Sequence, residues 1–233
     1  MLVTTFTGAM IQTVSGFGFG IFSMCLLPFF MPGYITAAIV SNMCSVLLTI
    51  FILAKMYKKI RWRALIFTLG AYFVVSVFIV RFQKTQSDNS LKKLLGVFLI
   101  GLSIYFFLSK SNHKIKPTPI SAVIAGSLSG VTGGLFGASG PPVVMYFLGA
   151  TDDNDEYIAT IQSFFLIACS YLVLVRALNG LFSADCIKYW AVGAIGVFPG
   201  MFLGTRLRAK IKPEFLKRLV YIFMAASGIV MLF

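Results

Sequence analysis

Residues 133–142 read Gly-Gly-Leu-Phe-Gly-Ala-Ser-Gly-Pro-Pro and lie in the middle of an uncharged stretch from Pro117 to Thr151. That stretch has 35 residues, whereas a transmembrane helix needs about 20 apolar residues. Its centre cannot be a regular helix, because proline removes a backbone donor and each interior glycine costs about 1 kcal/mol relative to alanine. The sequence therefore predicts a membrane element whose helix is broken near its middle.

A second glycine-rich segment, Ser-Gly-Phe-Gly-Phe-Gly at residues 15–20, lies in the uncharged run 1–54, roughly one half-chain earlier. Non-helical backbone is tolerated at membrane depth only where protein buries it or where it lines a water-filled cavity. Two such breaks in one chain therefore indicate a pore or a binding site.

The composition is that of an integral membrane protein. The chain has 233 residues, of which 58% are hydrophobic and 12% charged, with a mean hydropathy of +0.91; soluble domains carry about 25% charged residues. The net charge of +13 comes from short basic clusters between apolar runs, which suits membrane topology and anionic lipids better than nucleic acid. We expect a multi-pass protein of the cytoplasmic (inner) membrane of a prokaryote, in contact with membrane lipids.

The apolar runs predict an all-α polytopic fold of about eight membrane elements, with elements 1 and 5 broken or re-entrant. The elements span residues 1–31, 33–54, 63–82, 91–109, 118–149, 156–177, 185–205 and 214–233. Similar segments recur in the two halves, so we interpret the chain as two repeats of four elements, 1–109 and 118–233. The segment 110–117 would link them within one integrated membrane domain, as in many secondary transporters.

Charge counting distinguishes two topologies. If all eight elements cross fully, the 20 Lys and Arg residues divide ten against ten, and the positive-inside rule indicates no orientation. If elements 1 and 5 are re-entrant hairpins, the division becomes fourteen against six. The second arrangement is favoured, and it makes the two halves inverted repeats with both termini outside the cytoplasm.

Groups that perform enzyme chemistry are scarce in this sequence. The single histidine, His113, lies in a polar linker, and no carboxylate lies inside an apolar run. The four cysteines show no metal or disulfide spacing, and no nucleophile–base pair is visible. We predict no catalytic residues, no metal and no cofactor, hence a protein that is not an enzyme.

The two breaks are the best candidate binding site. A broken helix exposes backbone N–H groups at a partly positive N-terminus, so two facing ends can hold an anion without a buried cation. Proline at the start of the following helix loses no hydrogen bond. The candidate residues at the breaks are Ser15, Gly16, Gly18, Gly20, Gly133, Gly134, Gly137, Ser139, Gly140 and Pro141. For a single glycine the alternative role is close helix packing.

Polar side chains inside the apolar elements extend this candidate set. Gln12, Asn42 and Gln162 are amides at membrane depth, where they either hydrogen-bond the substrate or join helices to one another. Arg176 and Lys55 stand at predicted helix ends, where the expected role is to extend the charged group to the membrane surface.

The same segments resemble those of the TauE/SafE family, which comprises sulfite and organosulfonate exporters. The runs that carry the resemblance are Gln12-Thr-Val-Ser-Gly-Phe-Gly-Phe-Gly20, Gly130-Val-Thr-Gly-Gly-Leu-Phe-Gly-Ala-Ser-Gly-Pro-Pro142 and Gly204-Thr-Arg-Leu207, together with Asn42. The resemblance covers nearly the whole chain. It implies transport of small inorganic or organic sulfur anions such as sulfite, thiosulfate or sulfoacetate.

The functional expectation is therefore an exporter that holds a small sulfur anion at the two breaks near the midplane. Alternatives are an anion channel, a transporter of another small anion, or a membrane scaffold or assembly protein that transports nothing. Because no intramembrane Asp, Glu or His is available to carry a proton, we expect facilitated transport or a proton carried on the substrate. The oligomeric state stays open, with a homo-oligomer among the options.

Overall fold

The computed structural model describes residues 1–54, 56–108, 116–207 and 213–232. Lys55 and most of the 110–117 segment lie outside these described residues. Within them, the chain forms helices and one 3-10 turn at Tyr57–Lys59. The helices are α1 Leu2–Ser15, α2 Phe19–Phe30, α3 Tyr34–Leu53, α4 Trp62–Lys84, α5 Asp88–Leu108, α6 Pro119–Phe136, α7 Gly140–Ala150, α8 Asn154–Leu178, α9 Ala184–Leu207 and α10 Pro213–Leu232.

Five of the helices in the described residues are long and apolar enough to cross a membrane, namely α3, α4, α6, α8 and α9. Shorter apolar helices include α2 and α7. The predicted class, a polytopic helical membrane protein, is confirmed. The finer predictions of two repeats joined at 110–117 and of re-entrant elements stay predictions.

Predicted elements 1 and 5 are each divided into two shorter helices at the glycine-rich segment. Element 1 becomes α1 and α2, separated by residues 16–18, and element 5 becomes α6 and α7, separated by residues 137–139. Helix α7 opens with Gly140 and has proline in its first turn, where proline's missing N–H costs nothing.

Helix α2 folds back along α1. A methyl group placed on Gly8 would lie 3.1 Å from the Phe19 ring and 3.3 Å from Ser23 Oγ. In a continuous helix, residues 8 and 23 would be about 22 Å apart along the axis. The break at 16–18 therefore reverses the chain.

Helices α3 and α8 pack against each other at the centre of the molecule, and each also contacts helices from the other half of the chain. Helix α1 packs along α9, and α6 packs along α4. Small residues allow these close approaches, as in other membrane bundles. A methyl group added to Gly126 would collide with the Thr68 carbonyl, and one added to Gly200 with the Phe6 carbonyl.

Ion pairs join the segment before α4 to the start of α8. Lys59 Nζ lies 2.6 Å from Asp155 Oδ2, and Arg61 Nη2 lies 2.6 Å from Asp152 Oδ2. The Asp155 carboxylate raises the pKa of Lys59, and the Asp152 carboxylate raises that of Arg61. Asp153 caps α8 by accepting the N–H groups of Glu156 and Asp155, which lowers the pKa of its carboxyl group.

A second contact between loops joins the end of α4 to the end of α8. Lys84 Nζ donates to the Asn179 carbonyl at 2.9 Å. The two helix ends that meet here are those of α4 and α8, so they belong to different halves of the chain.

Candidate functional site

The two glycine breaks meet in space although they lie more than a hundred residues apart in the chain. A methyl group placed on Gly20 would lie 2.7 Å from the carbonyl oxygen of Gly137. Gly18 and Gly137 have φ angles of +110° and +65°, which L side chains rarely adopt. Glycine is thus required both for the turn at each break and for their mutual approach.

A small cavity lies where the breaks meet. Its volume is about 20 Å³, enough for about one water molecule. It is lined by Gln12, Gly18, Gly20, Ile21, Ser45, Gly137, Ala138, Ser139, Gly140, Phe165 and Cys169. Ser45 lies about 17 Å from the start of α3 and about 12 Å from its end, and Phe165 lies about 17 Å and 20 Å from the ends of α8. The cavity is therefore near the mid-depth of the two central helices.

The first break is held by two amides. Gln12 Nε2 donates to Gln162 Oε1 at 3.1 Å, and Gln162 Nε2 donates to the Gly16 carbonyl at 2.9 Å. Gln12 Oε1 also accepts the N–H of Phe19 at 3.3 Å. This network joins α1, α2 and α8 and contains no charged side chain.

Ser15 belongs to the first break but does not line the cavity. Its hydroxyl donates to the carbonyls of Ile11 and Phe17 at 2.8 and 2.6 Å. It therefore closes the end of α1 locally, and its predicted contact with substrate stays a prediction.

Asn42 lies beside the second break. Its Oδ1 is 3.5 Å from a methyl group placed on Gly137, and the side chain is buried, with 1% of its surface exposed. Within the described residues its Nδ2 has no hydrogen-bond partner. A buried donor without a partner is uncommon in proteins. Asn42 is not among the cavity-lining residues, so its predicted contact with substrate stays a prediction.

The second break is also contacted by Tyr72, which the sequence did not single out. Its hydroxyl lies 3.1 Å from Ser139 Oγ, and the ring is fully buried on α4. Pro141, predicted as a site residue, is buried in the first turn of α7 and is not among the cavity-lining residues.

Arg176 holds the end of α6 that precedes the second break. The side chain is 0% exposed; its Nη2 donates to the carbonyls of Gly134 at 2.9 Å and Gly133 at 3.4 Å. The last carbonyls of a helix lack intrahelical partners and carry partial negative charge, so a cation stabilises them. The expectation that Arg176 extends to the membrane surface is wrong, because its side chain is buried against Gln83 of α4 and the last carbonyls of α6.

Two neutral side chains complete this cap. Gln83 Oε1 accepts from Arg176 Nε at 3.2 Å, and Gln83 Nε2 donates to the Leu135 carbonyl at 2.9 Å. Tyr34 Oη donates to the same carbonyl at 3.1 Å. Gly133 and Gly134 thus serve the site through their carbonyls, and Gly134 also packs against Ile79 of α4.

This architecture, with several membrane-spanning helices and two broken helices that meet at mid-depth, is that of a membrane transporter. The chain belongs to the sulfite exporter TauE/SafE family, whose model matches residues 1–231.

Three curated relatives are similar over most of the chain. A probable sulfite/organosulfonate exporter TauE from Cupriavidus necator is 23% identical over 232 residues, which covers 95% of this chain and 88% of the relative. A probable membrane transporter protein from Methanocaldococcus jannaschii is 28% identical, covering 80% of this chain and 73% of the relative. The probable inner membrane transporter protein TsaS from Comamonas testosteroni is also 28% identical, covering 74% and 73%. No solved structure is significantly similar to the chain.

Proposed function

We propose that this protein exports small sulfur-containing anions across the cytoplasmic membrane and binds the anion between its two glycine breaks. The observation that carries the proposal is the meeting of Gly20 and Gly137 at mid-depth, because it brings the N-termini of α2 and α7 to one cavity. Exposed N–H groups at helix N-termini favour anions. Asn42, whose buried Nδ2 lacks a partner, supplies a further donor.

The substrate class comes from the family and from the transport activity ascribed to one of its members. The relative from Cupriavidus necator is described as a probable sulfite/organosulfonate exporter. A negative cell interior drives an anion outward, by about 2.3 kcal/mol per charge at 100 mV. Transport down this gradient, with or without a proton carried on the substrate, requires no catalytic group and no cofactor.

We further propose that the two broken elements are re-entrant hairpins. If every predicted element crossed the membrane, the segment before α4, which contains Lys59, and the start of α8, which contains Asp155, would lie on opposite faces. Their 2.6 Å ion pair supports an arrangement in which they share a face, and the contact between Lys84 and Asn179 supports the same for the other face. The two halves of the chain are then inverted repeats.

A C-terminal reporter that is active only outside the cytoplasm tests this topology. The hairpin arrangement predicts an active reporter, because both termini lie outside. A reporter that is inactive outside, together with a cytoplasmic reporter that is active, would exclude the hairpins.

Transport requires the cavity to change size. A volume of about 20 Å³ holds one water molecule but not an anion with three oxygen atoms. The contact between the two breaks must therefore widen when the anion binds. Movement of one half of the chain against the other would do this and would expose the site to each face in turn.

Flux in liposomes tests the proposed function. Purified protein is reconstituted and uptake of sulfite, thiosulfate, sulfoacetate and sulfate is measured for the wild type and for Gly137→Val. Valine is strained at a φ of +65°, so we expect saturable flux of a sulfur anion that is lost in this variant. Gly101→Val is the matched control, because nothing lies within 4 Å of a methyl group added at Gly101.

Each alternative gives a different result. Saturable flux of another small anion would change the cargo and keep the site, whereas non-saturable flux would indicate a channel. If the folded wild type moves none of the anions while a scaffold role in cells tolerates Gly137→Val and Ser139→Ala, the transporter proposal is wrong.

A further inference from the structure

Arg176 carries a buried charge that no carboxylate neutralises. Its side chain is 0% exposed, and among the described residues it forms no ion pair with Asp or Glu. Its hydrogen bonds go to neutral groups, namely two carbonyls of α6 and Gln83. Nη1 has no hydrogen-bond partner within the described part of the chain. Buried charges are normally paired, so this one calls for an explanation.

The charge lies directly behind the wall of the cavity. Arg176 bonds the carbonyl of Gly133, and Gly133 packs against the side chains of Ser139 and Tyr72. Ser139 in turn lines the cavity. Cys169, another cavity-lining residue, lies two turns before Arg176 on α8, about 10 Å along the axis. Through Gly133 and Ser139, one layer of residues separates the guanidinium from the cavity.

The surrounding dipoles cancel only part of this charge. The end of a helix carries the equivalent of about half a negative charge, and arginine carries a full positive one at any physiological pH. The neighbourhood of the second break is therefore net positive. A positive potential at a buried site is felt over a distance of several ångströms, because the interior screens it far less than water does.

We propose that Arg176 is a positioning residue that makes the site select its substrate by charge, so that dianions are preferred to monoanions and monoanions to zwitterions. This inference rests on the proposed function, since it refines the class of anion transported. The energy of an anion in a fixed potential is proportional to its charge. The preference for a dianion should therefore be the square of the preference for a monoanion.

A series of two-carbon sulfonates of similar size tests this scaling. At neutral pH, 2-aminoethanesulfonate has no net charge, 2-hydroxyethanesulfonate has one negative charge and sulfoacetate has two. Competition of each compound against labelled substrate in liposomes gives its apparent affinity. In the wild type we expect affinity to rise along the series in that order.

Arg176→Gln removes the charge and keeps an amide that can still donate to the α6 carbonyls. We expect affinity to fall about fivefold for the monoanion and about twenty-five-fold for the dianion, with little change for the zwitterion. Arg176→Lys retains the charge and should keep the wild-type order. Gln83→Met is the matched control, because it disturbs the same cap without changing charge, and it should affect all three compounds by the same factor.

The outcomes separate this inference from the proposed function. If the wild type binds and moves none of the sulfonates or sulfur oxyanions, the proposed function fails. If the wild type moves them but Arg176→Gln weakens all three equally, Arg176 is only a helix cap and the inference is overturned. If Arg176→Gln does not fold, the order of apparent affinities in the wild type and in Arg176→Lys decides. Equal affinity for all three compounds in both proteins overturns the inference.

Discussion

The two breaks have similar glycine-rich sequences but are stabilised by different chemistry. The first is held by the neutral pair Gln12 and Gln162. The second is held by the buried cation Arg176 with Gln83, and beside it lies Asn42 with an unsatisfied amide. In the first break every named amide has a protein partner, whereas the second retains free donors and positive charge. Under the proposed function, we therefore expect the first break mainly to support the site and the second to supply most of the donors to the anion.

The largest effect should come from a change that separates the two breaks. In Gly20→Ala the new methyl group would lie 2.7 Å from the Gly137 carbonyl, a backbone atom that cannot rotate away. We expect the flux to fall more than tenfold, because a shift of about 1 Å in a site can cost a hundredfold. Flux per folded protein in liposomes measures this.

Gly70→Ala is the control for helix composition, since no atom lies within 4 Å of a methyl group added there. It should keep wild-type flux. Equal flux in Gly20→Ala and Gly70→Ala would show that the contact between the breaks has no role in transport.

The next largest effect should be a loss of stability when the amide network at the first break is disrupted. Gln162→Leu leaves the Gly16 carbonyl and the Gln12 amide without their partner, and each buried polar group left unsatisfied costs about 1–3 kcal/mol. We expect the thermal midpoint in detergent to fall and the flux to fall with it, because the turn at Gly16 loosens.

A double-mutant cycle with Gln12→Leu distinguishes this from a packing defect. The two single changes should be non-additive in stability, since they remove one shared hydrogen bond. Additive losses would mean that the 3.1 Å contact contributes nothing.

The sequence predicted the breaks well because they depend on local composition. The backbone conformation at each break is determined within a few residues, whatever the tertiary structure. It depends on Gly18 in the first break and on Gly137 and the proline after Ser139 in the second. The amides Gln12, Asn42 and Gln162 were also predictable, since a polar side chain in an apolar helix faces the bundle interior. The sequence did not distinguish the partnered amides Gln12 and Gln162 from the unpartnered Asn42, because that depends on which helices meet.

The cationic cap could not be predicted for the same reason. Arg176 follows an apolar run near the end of its helix, the usual signature of a residue at the membrane surface. Its burial depends on Gln83 and the end of α6, which come from distant parts of the chain. Gly134 was predicted as a site residue, and in the structure it packs against Ile79 of α4. Sequence spacing alone cannot separate such a packing role from ligand binding.

The third prediction separates flux from stability at the second break. Asn42→Leu removes a buried donor that has no protein partner, so stability should stay the same or rise by up to about 1 kcal/mol. If Asn42 binds the anion, flux at low substrate concentration should nevertheless fall about tenfold, since a hydrogen bond to a charged group contributes about 1.5–3 kcal/mol.

Ser41→Ala is the matched control for Asn42→Leu. Ser41 is the preceding residue of α3, is 0% exposed and also has a buried hydroxyl without a partner in the described residues, but, unlike Asn42, it is not among the atoms nearest to a methyl group placed on Gly137. Ser41→Ala should change neither the stability nor the flux. Unchanged flux in Asn42→Leu would remove Asn42 from the binding site and weaken the distinction between the two breaks.

The smallest effect should come from substitutions in the loops that follow α2 and α7. The loop after α7 is tied by ion pairs such as Lys59–Asp155, whereas the loop after α2 is tied by the Tyr34 N–H, which donates to Asp88 at 3.1 Å. Because the Lys59 pair is exposed, Lys59→Gln should change flux about twofold or less, and salt should suppress the difference.

The pH dependence of the Lys59 pair has a definite sign. The Asp155 carboxylate raises the pKa of Lys59 above its ordinary value of 10.5. The contribution of the pair to stability is therefore fully present below that value and is lost as the pH rises through the raised pKa. The thermal midpoints of wild type and Lys59→Gln should converge at high pH and in high salt, while Lys58→Gln, next to it in the chain, should match the wild type throughout. A gap that persists in high salt would contradict the assignment of Lys59–Asp155 as an exposed, salt-screened pair.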